Sequence, residues 1–403
     1  MPVPSPFHDR TAALCESHEW RNWSGYLAAA LYEPTHEREY YAIRNAVALI
    51  DVSPLYKYEI SGPDALRLVN RIFTRDLSRC SVGRVMYTPW CDDAGKVIDD
   101  GTVARLAEQR FRVTAAEPNL AWFQDSAIGL DARVQDVSEQ LAAVAVQGPN
   151  SRLLLSQVLE GSNLFGLRYY WLADAHLARV WAGGKSIPLT VSRTGYTGDL
   201  GYELWVAPEY AGRLWDALIA CGEGFGVAAA GIIALDIARI EAGLIMLQVD
   251  YISTRKALIE EQKSSPFEIG LEWAVDLDKP GFVGRKALLE EKRRGSDWKL
   301  VGVEVDWVAL EAVFGRWNLV PQVSGRASRS AVPIYRDGRH IGQMTSHTFS
   351  PVLKRYIGIG SVESSRAGYG TEVEVEVTVE YSRQKTKAVL SKLPFFNPAR
   401  KRA

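Results

Sequence analysis

The side chains that could do chemistry in this 403-residue sequence are few and dispersed. Its six histidines do not fall at metal-ligand spacing. His340 and His347 are near one another in a stretch that alternates like a strand, and alternation alone builds no site. The four cysteines, Cys15, Cys80, Cys91 and Cys221, include no C-x-x-C pair, which argues against a zinc ribbon or a redox dithiol. No metal is expected. Gly195 and Gly198 do not have the spacing of a nucleotide-phosphate loop; they suit a tight turn that carries Tyr196. What remains is acidic. Asp99 and Asp100 follow the glycine turn at Gly95, and Glu203 sits in the apolar run Tyr202-Glu203-Leu204-Trp205-Val206. Taken in isolation, the first pair reads as the polar end of a hairpin strand and the second as an exposed charge on a strand.

These residues need elements to hold them. Residues 37–48 have helical character and run into the β-prone 49–52. Residues 56–60 alternate like a strand and are stopped by Ser61-Gly62-Pro63. Residues 64–73 place Ala65, Leu68, Val69, Ile72 and Phe73 at helical spacing. A hairpin over 85–90 and 96–106 turns at Cys91-Asp92-Asp93-Ala94-Gly95. A strand at 110–114, a helix at 119–128 and a strand at 142–146 complete a strand–helix–strand–strand–helix–strand order, which predicts a ferredoxin-like α+β unit. A second unit repeats the theme through segments 151–159, 177–180, 187–193 and 202–206 and a helix at 210–221. A long helix is expected over 231–247, followed by a polar, looped 251–266. The charged run Glu290-Glu291-Lys292-Arg293-Arg294-Gly295 reads as a linker. Beyond it, short alternating strands at 299–305, 331–335, 340–345, 357–362 and 372–379 predict a small β-barrel. The expected division is therefore a catalytic region of two interleaved α+β subdomains over 1–290 and a barrel over 291–403.

Composition excludes several classes. Hydrophobic residues make up 47% and charged residues 24%, ordinary for a globular chain. With 47 basic and 48 acidic residues the net charge is -1, which gives no general attraction to nucleic acid or an anionic membrane. The basic run Arg400, Lys401 and Arg402 reads as a solvated end. No apolar stretch approaches the roughly 20 residues a spanning helix needs. The first residues lack the charged start and apolar stretch of a secretory signal, and the unpaired cysteines suit a cytoplasmic setting.

Several blocks, in order, resemble the glycine-cleavage T-protein (aminomethyltransferase) family over nearly the whole chain. They include Asp51-Val52-Ser53, Gly62-Pro63-Asp64-Ala65, Thr74-Arg75-Asp76, Gly95-Lys96-Val97-Ile98-Asp99-Asp100 and Gln147-Gly148-Pro149. Further on come Arg193-Thr194-Gly195-Tyr196-Thr197-Gly198, Tyr202-Glu203, Arg239-Ile240-Glu241-Ala242-Gly243, Phe282-Val283-Gly284-Arg285 and Phe349-Ser350-Pro351. Each block is weak alone; their order and spacing together are specific. The resemblance implies an α+β, three-domain cloverleaf with a central channel for tetrahydrofolate, and a one-carbon transferase activity.

The family's catalytic aspartate matches Asp100. A carboxylate there stabilises the cation formed when the folate N5 amine attacks carbon, and can accept its proton. Asp99 is expected to be only a polar strand end. Glu203 matches the glutamate that grips the pterin, where one carboxylate accepts from an amino group and a ring N–H side by side. Tyr87 and Tyr196 match aromatic positions along the channel. Arg239 matches an arginine on the long helix that either contacts folate or pairs with a carboxylate between domains.

Departures from the family cluster where the one-carbon donor should lie. Pro54-Leu55-Tyr56-Lys57-Tyr58 replaces a His-Met-Gly-like run, Pro89-Trp90 ends the strand before the acid pair, and Thr114 stands at the family's asparagine. Tyr56, Tyr58 and Trp90 could line a pocket for a small methyl donor whose demethylation gives 5-methyltetrahydrofolate: a cation, because aromatic faces attract ammonium or sulfonium, or an aryl ether, which leaves as phenolate and needs a proton donor. The alternatives are a lipoyl carrier protein as aminomethyl donor, and a non-catalytic folate-binding protein. The last is disfavoured because Leu247-Gln248-Val249-Asp250-Tyr251 lacks the cysteine loop of the iron–sulfur assembly relatives.

Overall fold

The computed structural model describes residues 1–403. Two large open sheets, a small two-stranded one at Trp20–Trp23 and Tyr26–Ala29, and one closed barrel meet around a central cavity.

The first unit is a five-stranded antiparallel sheet with the spatial order Val85–Cys91, Val97–Ala107, Arg110–Ala115, Tyr56–Ser61, Arg133–Asp136. Helices Ala65–Ile72 and Leu120–Ser126 cover one face, burying Leu68, Ile72 and Phe123 against Tyr58, Trp90 and Phe111. The expected ferredoxin-like unit is present, but its closing strand is Arg133–Asp136 rather than the alanine–valine strand at 142–146. That edge strand buries only Val134 and is otherwise polar, so it carries little strand signal. Ala142–Gln147 is buried at every position and sits inside the second sheet. An unbroken apolar run of this kind marks a strand covered on both faces.

The second sheet has seven strands in the order Leu159–Glu160, Leu172–Leu177, Ile187–Ser192, Gly201–Val206, Ala142–Gln147, Val47–Asp51, Val227–Ala229, with only the last pair parallel. Helices Ser151–Val158 and Ala211–Gly222 cover one face and Glu37–Asn45 and Ile232–Glu241 the other. The segment expected at 177–180 lies earlier, as strand Leu172–Leu177. The long helix expected over 231–247 stops at Glu241, because Gly243 takes φ +64 and turns the chain back on itself. The stretch after that glycine then reaches the cavity wall.

The barrel closes in the order Trp298–Val305, Arg355–Glu363, Arg339–Ser350, Val332–Arg336, Glu372–Val379, Ser382–Ser391. The final strand and helix Trp307–Gly315 were not expected from the sequence. The charged run at 290–295 is not a linker: it ends helix Arg285–Arg294, with Gly295 at φ +89 closing it and Glu291 buried on Ser265 and Ser296. The basic run near 400 is not a solvated end either. Arg400 holds the buried Asp199 through bonds of 2.7 and 2.8 Å. No helix is long and apolar enough to cross a membrane.

Candidate active site

Successive residues of a strand face opposite sides, so Asp99 and Asp100 on Val97–Ala107 must diverge. Asp100 turns into a cavity of about 540 Å³ lined by all three units, including Tyr87 and Thr114 of the first sheet, Glu203 and Trp205 of the second, and Leu300 of the barrel. Its carboxylate is held at both oxygens. The Tyr87 hydroxyl donates to Oδ2 at 2.6 Å, and the Tyr251 hydroxyl donates to Oδ1. Burial pushes the Asp100 carboxyl above the usual range, and the two phenol donors pull the other way. Both phenols are themselves pushed well up, first by burial and then by the Asp100 charge, so they stay protonated and keep donating.

Glu203 lines the same cavity from strand Gly201–Val206. Its Oε2 accepts from the Thr194 hydroxyl at 2.6 Å, while Oε1 has no protein donor. Burial raises this carboxyl; the Thr194 bond and the charge of Arg112 lower it. Trp205, two residues on, presents its ring to the same space. Tyr196 sits on the turn after Ser192, its hydroxyl bonded to the Ile245 carbonyl, so its ring is fixed as wall. Tyr87 stacks on Trp273 with centroids 5.8 Å apart. The result is a mostly apolar, aromatic-walled chamber with one carboxylate gripped by two phenols and another with an open oxygen. Such a chamber suits a flat ring with polar edges. No group of three or more His, Cys, Asp or Glu side chains converges anywhere in the fold.

The GCVT N-terminal domain family matches residues 6–279, and the glycine cleavage T-protein C-terminal barrel domain family matches residues 317–397. The chain belongs to the glycine cleavage T-protein family. An aminomethyltransferase of Halothermothrix orenii is 33% identical over 389 residues, covering 95% of this chain and 96% of that protein. A trimethylamine-oxide aldolase of Ruegeria pomeroyi is 34% identical over 385 residues, covering 93% of this chain but 45% of that protein, so the chain spans under half of that relative's length. The crystal structure of the glycine cleavage system aminomethyltransferase T from Bartonella henselae superposes with a TM-score of 0.81 at 22% identity, over 98% of this chain and 99% of that one. The fold is thus the T-protein cloverleaf, and family membership places the chain among the transferases.

Within this T-protein fold, Arg239 takes the second of its two expected roles, and the expectations for Tyr56, Tyr58, Trp90 and Asp99 change. Arg239 does not line the cavity. It is fully buried and donates to Asp250 Oδ2 at 2.5 Å and to the Ser346 hydroxyl at 2.8 Å, tying helix Ile232–Glu241 to the loop after it and to the barrel. A guanidinium so committed has no free fork for a ligand. Tyr58 and Trp90, expected in a donor pocket, are fully buried in the core of the five-stranded unit. They converge on Asn119, whose N–H donates to the Tyr58 hydroxyl at 2.8 Å and whose Oδ1 accepts from the Trp90 indole at 3.2 Å. Tyr56 stacks parallel on Tyr58 at 6.5 Å and also lies off the cavity. These bulky side chains fill the space under the sheet, which is why they read as excess aromatics. Asp99, expected as a polar strand end, is fully buried on that core side and accepts from the N–H groups of Asp100 and Glu117 and from the Asn119 amide.

Tyr251, Thr194, Trp205 and Trp273 were not singled out from sequence. Tyr251 lies in a stretch read as loop, 151 residues from the aspartate it touches. No spacing rule links the two. Only the glycine-ended helix, which throws the chain back toward the cavity, brings them together.

Proposed function

We propose that the chain binds tetrahydrofolate in the 540 Å³ cavity and moves a one-carbon unit on or off it, taking the unit from a small cationic methyl donor and leaving 5-methyltetrahydrofolate. The observation that carries this is one cavity bearing both Asp100, gripped at each oxygen, and Glu203, with one oxygen open. Tetrahydrofolate, when bound, supplies the N5 amine that carries the one-carbon unit. Glu203 accepts from the amino group and ring N–H of the pterin edge, a bidentate contact that orients the ring. Tyr87 and Tyr196, which line the cavity, would offer the ring apolar faces. Asp100 lies where positive charge develops, stabilises it and takes up the proton. Tyr87 and Tyr251 fix its direction.

The choice of donor rests on the hydroxyls. Both phenols beside Asp100 are committed to that carboxylate, so neither is free to protonate a leaving oxyanion. A cationic donor leaves as a neutral molecule and needs no acid. The aromatic walls, among them Trp23, Trp205 and Trp273, favour such a cation. The likeness to a protein named for trimethylamine oxide is in keeping with a small nitrogen substrate. A second reading, an aminomethyl group delivered by a lipoyl carrier protein, is favoured by aminomethyltransferase relatives that match over nearly their whole length. Incubation with tetrahydrofolate and each donor class, read as 5-methyl- against 5,10-methylene-tetrahydrofolate, separates the two. Methylated folate from quaternary ammonium or sulfonium donors is the expected result. Ammonia release with aminomethyl-lipoyl carrier alone would replace it with the second reading.

A further inference from the structure

A second cleft, of about 440 Å³, opens between the five-stranded and seven-stranded sheets. It is lined by Glu59, Arg110 and Arg112 on one side and by Asp174 and Thr190 on the other, with Gln140 nearby. Arg112 stands out among the buried arginines. Arg44 donates to Glu241 at 2.6 and 2.9 Å and to two carbonyls, and Arg239 donates to Asp250 and Ser346 as described. Arg112 is only 7% exposed, yet its guanidinium makes no hydrogen bond or ion pair with any protein group. One face rests on the Trp205 ring at 4.5 Å, and the edges that carry its N–H donors are left to the cleft. Burial pushes this group down to about 10, against the pull of Glu203.

A guanidinium so buried without a hydrogen-bonded partner is costly, and the carboxylates of Glu203, Glu59 and Asp174 act on it only through space. The cleft's two acids do not supply the partner. Glu59 faces Arg110 at 3.7 Å, and Asp174 is exposed and forms no pair with Arg112. The stacked, planar fork is the arrangement proteins use for bidentate capture of a carboxylate or phosphate. The volume is that of a small-molecule site rather than of an interstitial water.

We propose that this cleft is a second ligand site, which takes the oxyanion group of a small metabolite on the Arg112 guanidinium, with Thr190 and Gln140 as neighbouring polar contacts. A carboxylate and a phosphate share the needed chemistry. The site is separate from the large cavity, with Trp205 between the two, and it does not depend on the folate reading.

The test uses the full chain without folate, at constant ionic strength, titrated calorimetrically with sodium acetate in one arm and inorganic phosphate in the other. Saturable one-site binding is expected in at least one arm, and which arm responds names the oxyanion. Arg112→Gln should weaken it by at least about tenfold, the loss of a charge-assisted pair. Thr190→Glu sets a tethered carboxylate in the cleft, so it should block both probes and raise the melting temperature. It decides the matter if Arg112→Gln does not fold. No saturable binding in either arm, or affinity unchanged in the folded variants, overturns the proposal.

Discussion

The two sides of strand Val97–Ala107 act as two different solvents for the same side chain. On the core side, Asp99 is surrounded by donors that belong to the fold: two backbone N–H groups and an amide. On the cavity side, Asp100 is held only by two phenols, and the space before it is open. Burial raises both carboxyls, and the Asp100 charge raises Asp99 further. The difference is in what each carboxylate is built to satisfy. Asp99 pins the 117–119 loop beneath the sheet, whereas Asp100 is aimed at something that is not protein. A charge saturated by its own fold is structural; one held in direction but left open is available for chemistry.

The sharpest break in this comparison is Asp100→Asn. It should cut turnover by about 10²- to 10⁴-fold, the usual worth of a general base, with little change in folate affinity or melting temperature. Single-turnover rates beside a folate titration check both halves. Asp99→Ala should do the reverse: three donors lose their acceptor, and stability should fall by about 3 kcal/mol in a denaturant titration. Residual folded enzyme should turn over near the normal rate. Glu203→Gln tests the far end of the cavity and should weaken folate binding by roughly 10- to 100-fold through loss of a charged acceptor.

Smaller effects come from the groups around the acid. Tyr251→Phe should slow turnover about fivefold, one hydrogen bond's worth. It should also move the acidic limb of the pH–rate profile. The active form is the carboxylate, so the rate falls as pH drops through its raised pKa. The phenol bond stabilises that charged form, so removing it raises the pKa further and shifts the limb to higher pH. A limb that stays in place would show that Tyr251 does not hold Asp100 in solution. The smallest effect is expected from Tyr56→Phe, which should leave donor KM within about twofold because this ring lies off the cavity. A large rise in KM would return it to the donor pocket.

Much of the fold was legible because local patterns coincide with burial. The helix at Ala65–Ile72 keeps its apolar residues on one stripe, and the hairpin strands Val85–Cys91 and Val97–Ala107 flank a glycine turn. Misreadings came where a segment's partner lies far along the chain. Arg133–Asp136 is polar and short, so the buried Ala142–Gln147 was put in its place, although the two belong to different sheets. At the site, Asp100, Glu203, Tyr87 and Tyr196 could be picked out by their resemblance to the family, and all four line one cavity. Arg239, picked out by the same route, is a bracing residue, and Tyr58 and Trp90, picked out as departures from the family, lie in the core.

By itself, the sequence determined the residue types and local periodicities: two α+β regions, a barrel, an acid pair after a glycine turn, and the order of blocks that marks the family. Only the tertiary structure decided which acid of the pair faces the cavity, that Tyr251 reaches Asp100 across 151 residues, that Arg239 is bonded to Asp250 and Ser346, and that Arg112 makes no hydrogen bond. The physical reason is that a side chain's chemistry depends on what surrounds it. Type and spacing fix which groups a segment carries, but desolvation and hydrogen-bond partners arise only where distant segments close on one another.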